Sequence, residues 1–168
     1  MLPTFIEFIK AHSINNKDYF YLLPVADNEL LPLINQSFQG LDLPILIRKN
    51  AMKDFLSVSE LSIATSGTAT LESAILECAP VICYKTNFLN YSIISRMLKI
   101  ENIGLPNLLL SKRYYKELLQ KDFNKENILK SVAETTDLIS ESFDNANTLR
   151  NMLKGSGYYE ATKSISSL

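Results

Sequence analysis

Residues 64–72, ATSGTATLE, bring small, hydroxyl-bearing and acidic side chains to a point where an apolar run gives way to a helical pattern. Gly67 allows a ligand to approach the backbone closely, and the first N–H groups of the following helix have no partner within it. Ser66 and Thr68 add two hydroxyl groups. Because helix N-termini attract negative charge, this turn is suited to a group such as a diphosphate.

Glu72 lies one helical turn beyond Thr68 and shares a helix face with it. Its carboxylate could accept hydrogen bonds from the 2′- and 3′-hydroxyls of a ribose while a diphosphate rests on the turn. A simpler interpretation is that Ser66 is an N-cap and Glu72 a helix-favouring residue near the positive end of the helix. These residues alone leave both interpretations open.

A second polar group follows from residues 104–107, GLPN. Pro106 restricts the predicted turn, and Asn107 offers a donor and an acceptor from a fixed position. The alternative is an Asn turn that only introduces a helix. Weaker candidates are Arg48, at the end of a predicted strand, and Glu117 and Gln120, in the helix predicted after the turn.

Composition excludes several classes of function. The chain has 168 residues, of which 46% are hydrophobic and 21% charged, and its net charge is −1. This balance is typical of one globular domain and argues against nucleic acid as a partner. The only histidine, His12, has no second metal ligand near it in sequence, and nothing in the chain resembles a zinc ligand set or favours a Ser-His-Asp set. No phosphate loop of the GxGxxG or GxxxxGK type occurs either. We therefore expect no metal and no cofactor.

The two cysteines and the apolar segments indicate in which cellular compartment the protein is found. Cys78 falls at the end of a predicted helix and Cys83 inside the next apolar run, which predicts buried thiols rather than a disulfide. Residues 2–11 carry Glu7 and Lys10 where a signal peptide would be uniformly apolar, and no run reaches the roughly 18 apolar residues of a spanning helix. A cytoplasmic protein is the expectation.

Apolar periodicity predicts strands alternating with helices. The predicted strands are 19–26, 43–50, 61–66 and 80–85, and the predicted helices are 2–11, 28–38, 52–60, 68–77, 90–99, 114–120, 125–139 and 142–153. This alternation indicates an α/β fold with a parallel sheet covered by helices on both faces. We predict a single Rossmann-like domain over residues 1–168, which opens on a helix with no strand before it and ends in extra helices.

The order of these pieces resembles the carboxyl-terminal half of lipid-A-disaccharide synthases, glycosyltransferases with the two-domain GT-B architecture. The resemblance covers nearly the whole chain through LPTFIEFIKA, YLLPVA, SGTATLE, PVICYK and LPNLLL, with KELLQ following. It is carried by SGTATLE, LPN and KELLQ at this separation, since SGT alone would be a weak signal.

The resemblance implies an inverting hexosyltransferase of lipid A and lipopolysaccharide biosynthesis, which needs no metal. Its donor is UDP-2,3-diacylglucosamine, its acceptor is 2,3-diacylglucosamine-1-phosphate, and UDP is released. It implies that Ser66, Gly67 and Thr68 face the diphosphate, Glu72 the ribose and Asn107 the diphosphate-sugar region. Glu117 and Gln120 would line the cleft. The acceptor cleft and the acidic base would belong to an amino-terminal domain outside this chain. The chain alone would therefore be inactive.

Two other functions remain open from the sequence. One is a different GT-B enzyme that uses a UDP-sugar, such as an epimerase or a muropeptide-type transferase, and the other is a non-catalytic nucleotide-sugar-binding module. The resemblance also implies peripheral contact with the inner membrane. Residues 88–100, FLNYSIISRMLKI, are predicted to be either a buried helix or an interfacial surface.

Overall fold

A computed structural model describes residues 1–65, 67–85 and 102–156. The helices within these ranges are α1 (Leu2–Asn15), α2 (Leu30–Phe38), α3 (Met52–Val58), α4 (Thr68–Ile75), α5 (Leu105–Leu109), α6 (Lys125–Thr136) and α7 (Ile139–Ser156). The strands are β1 (Tyr21–Val25), β2 (Ile45–Lys49), β3 (Leu61–Thr65), β4 (Ala79–Tyr84) and β5 (Glu117–Leu119), and a 3₁₀-helix spans Gln120–Asp122. The helix predicted over residues 90–99 lies outside the described residues.

The strands are parallel, as predicted. β1 pairs with β2 in a register that sets Tyr21 opposite Ile45, and β4 lies between β3 and β5. Among the described residues no hydrogen bonds join β1–β2 to β3–β4–β5, so the predicted single sheet is present as two hydrogen-bonded parts.

The prediction of a helix over residues 114–120 was wrong. Glu117–Leu119 form strand β5 instead, and the N–H of Ile82 donates to the carbonyl of Lys116 over 2.8 Å. The Leu118 side chain joins the core on one face, while Glu117 points to the other, which is strand alternation. The apolar stretch is too short for periodicity to separate a strand from a helix, so pairing with β4 decides.

The region predicted as the turn GLPN is the start of a short helix. Gly104 is the N-cap of α5, and Pro106 lies in its first turn, where the missing N–H of proline carries no penalty. The helix predicted over 125–139 is divided, because α6 ends at Thr136 and α7 begins at Ile139.

Helices cover both faces of the β3–β4–β5 sheet. Val81 and Ile82 are successive residues of β4 and both are 0% exposed, which requires cover on each side. On one face the buried core comes from α1, α2, α6, the strands and the residue after the 3₁₀-helix, and it consists of Phe8, Ile9, Phe38, Val81, Cys83, Leu118, Phe123, Ile128 and Val132. On the other face it is formed by Ala74, Ala79, Ile82, Tyr115 and Leu149, which brings in α4 and α7. The prediction of an α/β fold with helices on both faces is confirmed.

Cys78 and Cys83 are free, buried thiols, as predicted. His12 lies in the last turn of α1 and is buried. Its Nδ1 is 2.7 Å from the Tyr21 hydroxyl, and burial lowers the pKa of the imidazole. His12 therefore serves to pack α1 on the first residue of β1.

Candidate functional site

The turn between β3 and α4 depends on the backbone of Gly67. This residue has φ 141° and ψ −163°, a conformation that residues with a Cβ rarely adopt. Among residues 1–65, 67–85 and 102–156, no atom lies within 4 Å of a Cβ built at Gly67, so the described surroundings give no steric reason for glycine and the backbone conformation does. The described residues therefore leave space beside the turn. Ser66, which is part of the predicted site, lies outside the described residues.

Thr70 fixes this turn from the inside. Its N–H and its hydroxyl both donate to the carbonyl of Gly67, over 3.2 Å and 2.8 Å, and its side chain is fully buried. The first turn of α4 holds no acidic residue, so its positive end is not neutralised from within that turn. Thr70 was missed by sequence reasoning; the only available signal was a threonine three residues after the glycine.

Thr68 and Glu72 are exposed and lie one turn apart on α4. In the described part of the chain, the Glu72 carboxylate takes part in no salt bridge. Their side chains are therefore accessible to a ligand that sits over the start of α4.

A buried polar chain holds α4 in place. The Ser73 hydroxyl donates to the carbonyl of Cys78 over 2.6 Å, and the Ser62 hydroxyl lies 2.6 Å from that of Ser73. Because Ser73 has one hydroxyl proton, Ser62 is the donor of the second bond. These bonds connect β3, α4 and the start of β4, so the turn at Gly67 rests on a rigid support. Sequence reasoning missed both serines.

Asn107 is brought into direct contact with Glu117. The Asn107 side chain is 0% exposed, and its Nδ2 donates to Glu117 Oε1 and to the carbonyl of Tyr115, each over 2.8 Å. Its Oδ1 accepts a hydrogen bond from the Tyr115 N–H over 2.9 Å. The amide is thus engaged by β5 and the residues before it.

Glu117 caps the start of α5. Its side chain is buried. Oε2 accepts a hydrogen bond from the N–H of Ile103 over 2.9 Å, and Oε1 accepts one from the N–H of Gly104 over 3.0 Å. A negative group at this helix end is favourable. A Cβ at Gly104 would collide with the side chain of Ile82 and lie 3.2 Å from Glu117 Oε1. Gly104 therefore permits the close approach of α5 to β4.

The strand register places the remaining candidates. Thr65 is opposite Cys83, and Cys83 is opposite Leu118, so Gly67 and Gln120 each follow two residues later at the carboxyl edge of the sheet. Gln120 has φ 51° and starts the 3₁₀-helix. Arg48 is exposed on β2, opposite Pro24, and belongs to the other hydrogen-bonded sheet. The structure therefore brings Gln120, but not Arg48, to the sheet edge that carries Gly67.

The described residues form neither a metal-binding cluster nor a membrane-spanning helix. Within residues 1–65, 67–85 and 102–156, no three His, Cys, Asp or Glu side chains are grouped so that they could hold a metal ion. The same residues contain no helix with the length and apolar character needed to cross a membrane.

Comparison with known proteins identifies the family. Residues 1–162 match the family model for lipid-A-disaccharide synthetase. The lipid-A-disaccharide synthase of Alteromonas mediterranea is 33% identical over 133 residues, which cover 76% of this chain and 35% of that protein. The lipid-A-disaccharide synthase of Wigglesworthia glossinidia brevipalpis is 32% identical over 135 residues, which cover 75% of this chain and 34% of that protein.

A third relative, lipid-A-disaccharide synthase 2 of Legionella pneumophila strain Philadelphia 1, is 29% identical over 139 residues, which cover 82% of this chain and 36% of that protein. The chain thus spans 34% to 36% of the length of these curated relatives. Because the family model matches residues 1–162 of 168, this chain belongs to the lipid-A-disaccharide synthetase family.

Proposed function

We propose that this chain is the donor-nucleotide-binding part of an inverting glycosyltransferase. The reaction transfers 2,3-diacylglucosamine from its UDP donor to 2,3-diacylglucosamine-1-phosphate. Family membership supports the class of reaction. The observation that carries the site is the turn at Gly67, which lies at the carboxyl edge of a parallel sheet and leads into α4 with Thr68 and Glu72 exposed.

The diphosphate occupies the space above this turn in our proposal. Ligands of open parallel sheets bind beyond the carboxyl ends of the strands, where helix N-termini present N–H groups. The backbone of Gly67 leaves room for close approach, and the hydroxyls of Ser66 and Thr68 provide additional donors. Thr70 and Ser73 keep the turn and the helix in position from the buried side.

Glu72 accepts hydrogen bonds from the ribose hydroxyls. It lies four residues beyond Thr68, which corresponds to about 6 Å along a helix axis. A nucleoside whose diphosphate sits at the helix start can therefore present its ribose to this carboxylate. An ionised carboxylate accepts two hydroxyl hydrogen bonds without donating any, which matches the 2′- and 3′-hydroxyls.

Asn107 and Glu117 contribute indirectly. Both side chains are buried and joined by a hydrogen bond, so we propose that they hold α5 against the sheet. The family resemblance implied instead that they face the ligand. Gln120 is retained as a residue that lines the donor cleft, because it lies at the same sheet edge as Gly67. Arg48 is retained only as a weak candidate.

Catalysis needs more than this chain supplies. Backbone N–H groups and hydroxyls at the Gly67 turn stabilise the negative charge that develops on departing UDP, without a metal ion. The acceptor cleft and the acidic base belong to the remaining part of the enzyme, so this chain binds the donor but does not turn over alone. The proposed location is the cytoplasm, with peripheral contact to the inner membrane. Residues 88–100, which were considered for that contact, lie outside the described residues.

Titration calorimetry with UDP tests the site. We expect Glu72→Ala to weaken UDP binding by about 1.5–3 kcal/mol, the range for hydrogen bonds to a charged group, which is roughly tenfold to a hundredfold in affinity. Glu7→Ala, which removes another exposed helical carboxylate, should bind UDP as the unaltered chain does. Absent binding, or equal binding by both variants, would refute the site assignment.

The transfer reaction needs a separate experiment. The chain is combined with the amino-terminal part of a relative such as the Alteromonas mediterranea synthase, together with the UDP donor and the acylated acceptor. We expect the disaccharide and UDP only when both parts are present. UDP binding without any product would favour a non-catalytic nucleotide-sugar-binding module, and transfer from a different UDP-sugar would favour another GT-B enzyme.

A further inference from the structure

Tyr115 buries a hydroxyl group in the core between the sheet and α7. The residue lies just before β5, is 4% exposed and packs in the same cluster as Ile82 and Leu149. Within residues 1–65, 67–85 and 102–156, its hydroxyl oxygen has no partner at hydrogen-bond geometry. Because burying an unpaired hydroxyl is costly, a native fold is expected to provide a partner for it.

A small cavity lies beside Tyr115. Its volume is about 20 Å³, and its lining includes Tyr115, Thr135 at the end of α6, and Ser142 and Asn145 on α7. None of these four residues is more than 9% exposed. A buried water molecule needs about 10–15 Å³ of such space and two to four polar partners. The cavity therefore has room for one water molecule and not for a larger ligand.

Ser142 and Asn145 bring hydrogen-bonding groups to the cavity. The Ser142 hydroxyl donates its only proton to the carbonyl of Ile139 over 2.6 Å, so its oxygen can only accept a further bond. The side-chain amide of Asn145 provides both a donor and an acceptor. Together with the Tyr115 hydroxyl, these groups can form about three hydrogen bonds, which is the usual number for a buried water.

Asn145 by itself does not satisfy the Tyr115 hydroxyl. Burial raises the pKa of that hydroxyl to about 12, and the Asn145 amide acts in the opposite direction, so the two side chains are neighbours. Nevertheless, no hydrogen bond of normal length and angle joins these two described residues. Polar groups that are close to each other without direct contact are commonly bridged by water.

The cavity also has a route to solvent. Lys116 and Glu141 belong to its lining and are exposed, whereas Tyr115 and Ser142 are buried. Water can therefore enter from the side of Lys116 and Glu141 without unfolding of the chain.

We infer that this cavity binds one water molecule, which accepts a hydrogen bond from the Tyr115 hydroxyl and donates to Ser142 Oγ and Asn145 Oδ1. The water connects α7 to the segment that holds Asn107. The carbonyl of Tyr115 accepts a hydrogen bond from Asn107 Nδ2 over 2.8 Å, and its N–H donates to Asn107 Oδ1 over 2.9 Å. The bound water thus supports the residue whose backbone positions Asn107, and this inference does not depend on nucleotide binding.

Magnetic relaxation dispersion of the water oxygen, recorded on the folded chain without UDP, tests this inference. The method counts water molecules that exchange slowly with solvent. Tyr115→Phe removes the hydroxyl and keeps the ring, and Tyr19→Phe is the matched control because Tyr19 is 41% exposed. We expect Tyr115→Phe to lose one slowly exchanging water and Tyr19→Phe to lose none. The same number of waters in Tyr115→Phe and in the unaltered chain would overturn the inference.

Urea denaturation of the same variants gives a second test. We expect the equilibrium constant for unfolding to rise about fivefold in Tyr115→Phe, which is typical of one lost hydrogen bond, and to stay unchanged in Tyr19→Phe. A hydroxyl buried without any partner would instead leave Tyr115→Phe as stable as the unaltered chain or more stable, which would contradict the inference. Lower stability with an unchanged number of waters would indicate a direct bond to Asn145 and would equally contradict it.

A crystal structure of the unaltered chain decides the question if Tyr115→Phe does not fold. We expect a water within about 3 Å of Tyr115 Oη and of Ser142 Oγ or Asn145 Oδ1. A cavity without such a water, or Tyr115 Oη bonded directly to Asn145, would refute the site.

Discussion

The side chain of Asn107 donates a hydrogen bond to Glu117 over 2.8 Å, and both residues are buried. Ten residues separate them along the chain, one on the short helix α5 and the other on β5. The same carboxylate accepts the N–H groups of Ile103 and Gly104. The pair therefore determines how the segment from Ile103 to α5 packs on the sheet.

Glu117→Gln should destabilise the fold. A glutamine has one acceptor oxygen and places an NH₂ group where the carboxylate now accepts an N–H, so at least one buried donor loses its partner. We expect the free energy of unfolding to fall by about 1–3 kcal/mol, measured by urea denaturation. Glu7→Gln on the exposed side of α1 provides the control and should leave stability unchanged. Equal stability of the two variants would contradict the role given to Glu117.

Gly104→Ala should be destabilising through crowding. The added methyl group would overlap the Ile82 side chain, in a core with no exposed surface at that residue. Overpacking of this kind costs about 1–3 kcal/mol in the free energy of unfolding. The double variant Gly104→Ala/Ile82→Val should recover part of this loss, because valine lacks the Cδ1 atom nearest to the new methyl group. If the two effects simply add in urea denaturation, the contact between Gly104 and Ile82 is not the cause.

Local pattern was sufficient for several elements. The helix predicted over residues 2–11 has apolar residues at helical spacing, and the strands predicted over 19–26 and 61–66 are short, largely apolar runs that end at polar residues. Residues 114–120 could not be predicted in this way, because the three-residue strand β5 is defined by pairing with β4 and not by its own pattern.

The candidate site could be predicted only in part. The glycine between a strand and a helix marked the turn at residue 67, and Glu72 followed from helical spacing. The partnership of Asn107 with Glu117 could not be foreseen, because it depends on β5. Likewise, Thr70 and Ser73 resemble ordinary helix residues until their buried hydroxyl partners are known.

Stability should decrease at alkaline pH because of Cys83. Burial raises the pKa of this thiol from 9.0 to about 12. The unfolded chain releases the proton as pH rises above 9.0, whereas the folded chain keeps it, so the stability it contributes is complete below that pH and is lost towards pH 12. Tyr21 and Tyr115, whose pKa values burial raises from 10.0 to about 12, act in the same direction.

Urea denaturation between about pH 8 and about pH 10.5 measures this loss, which can reach about 1.4 kcal/mol per pH unit for each group. The free energy of unfolding of Cys83→Ala should be lower at every pH, because the missing sulfur leaves a cavity. Its decline with rising pH should nevertheless be shallower than in the unaltered chain. Only the slope is compared, so the cavity does not affect the conclusion. Parallel curves would show that the Cys83 thiol is not protonated more strongly in the folded state.

Gly67→Ala tests whether the backbone conformation of the turn is needed for stability and for UDP binding. Its φ of 141° with ψ of −163° is a region nearly restricted to glycine, so an alanine there costs about 1–3 kcal/mol in the free energy of unfolding. Gly40→Ala is a suitable control, because Gly40 also has a positive φ, 74°, and open space around it, but it lies in the loop after α2.

Both variants should therefore be destabilised in urea, but only Gly67→Ala should also weaken UDP binding in calorimetry, where the folded protein is compared at the same concentration. The distinction follows from position: alanine at residue 67 either reshapes the turn or adds a methyl group in the space proposed for the diphosphate, whereas residue 40 is remote from it in sequence and follows a different helix. Equal loss of UDP affinity in the two variants would mean that general destabilisation, and not the Gly67 turn, accounts for the effect.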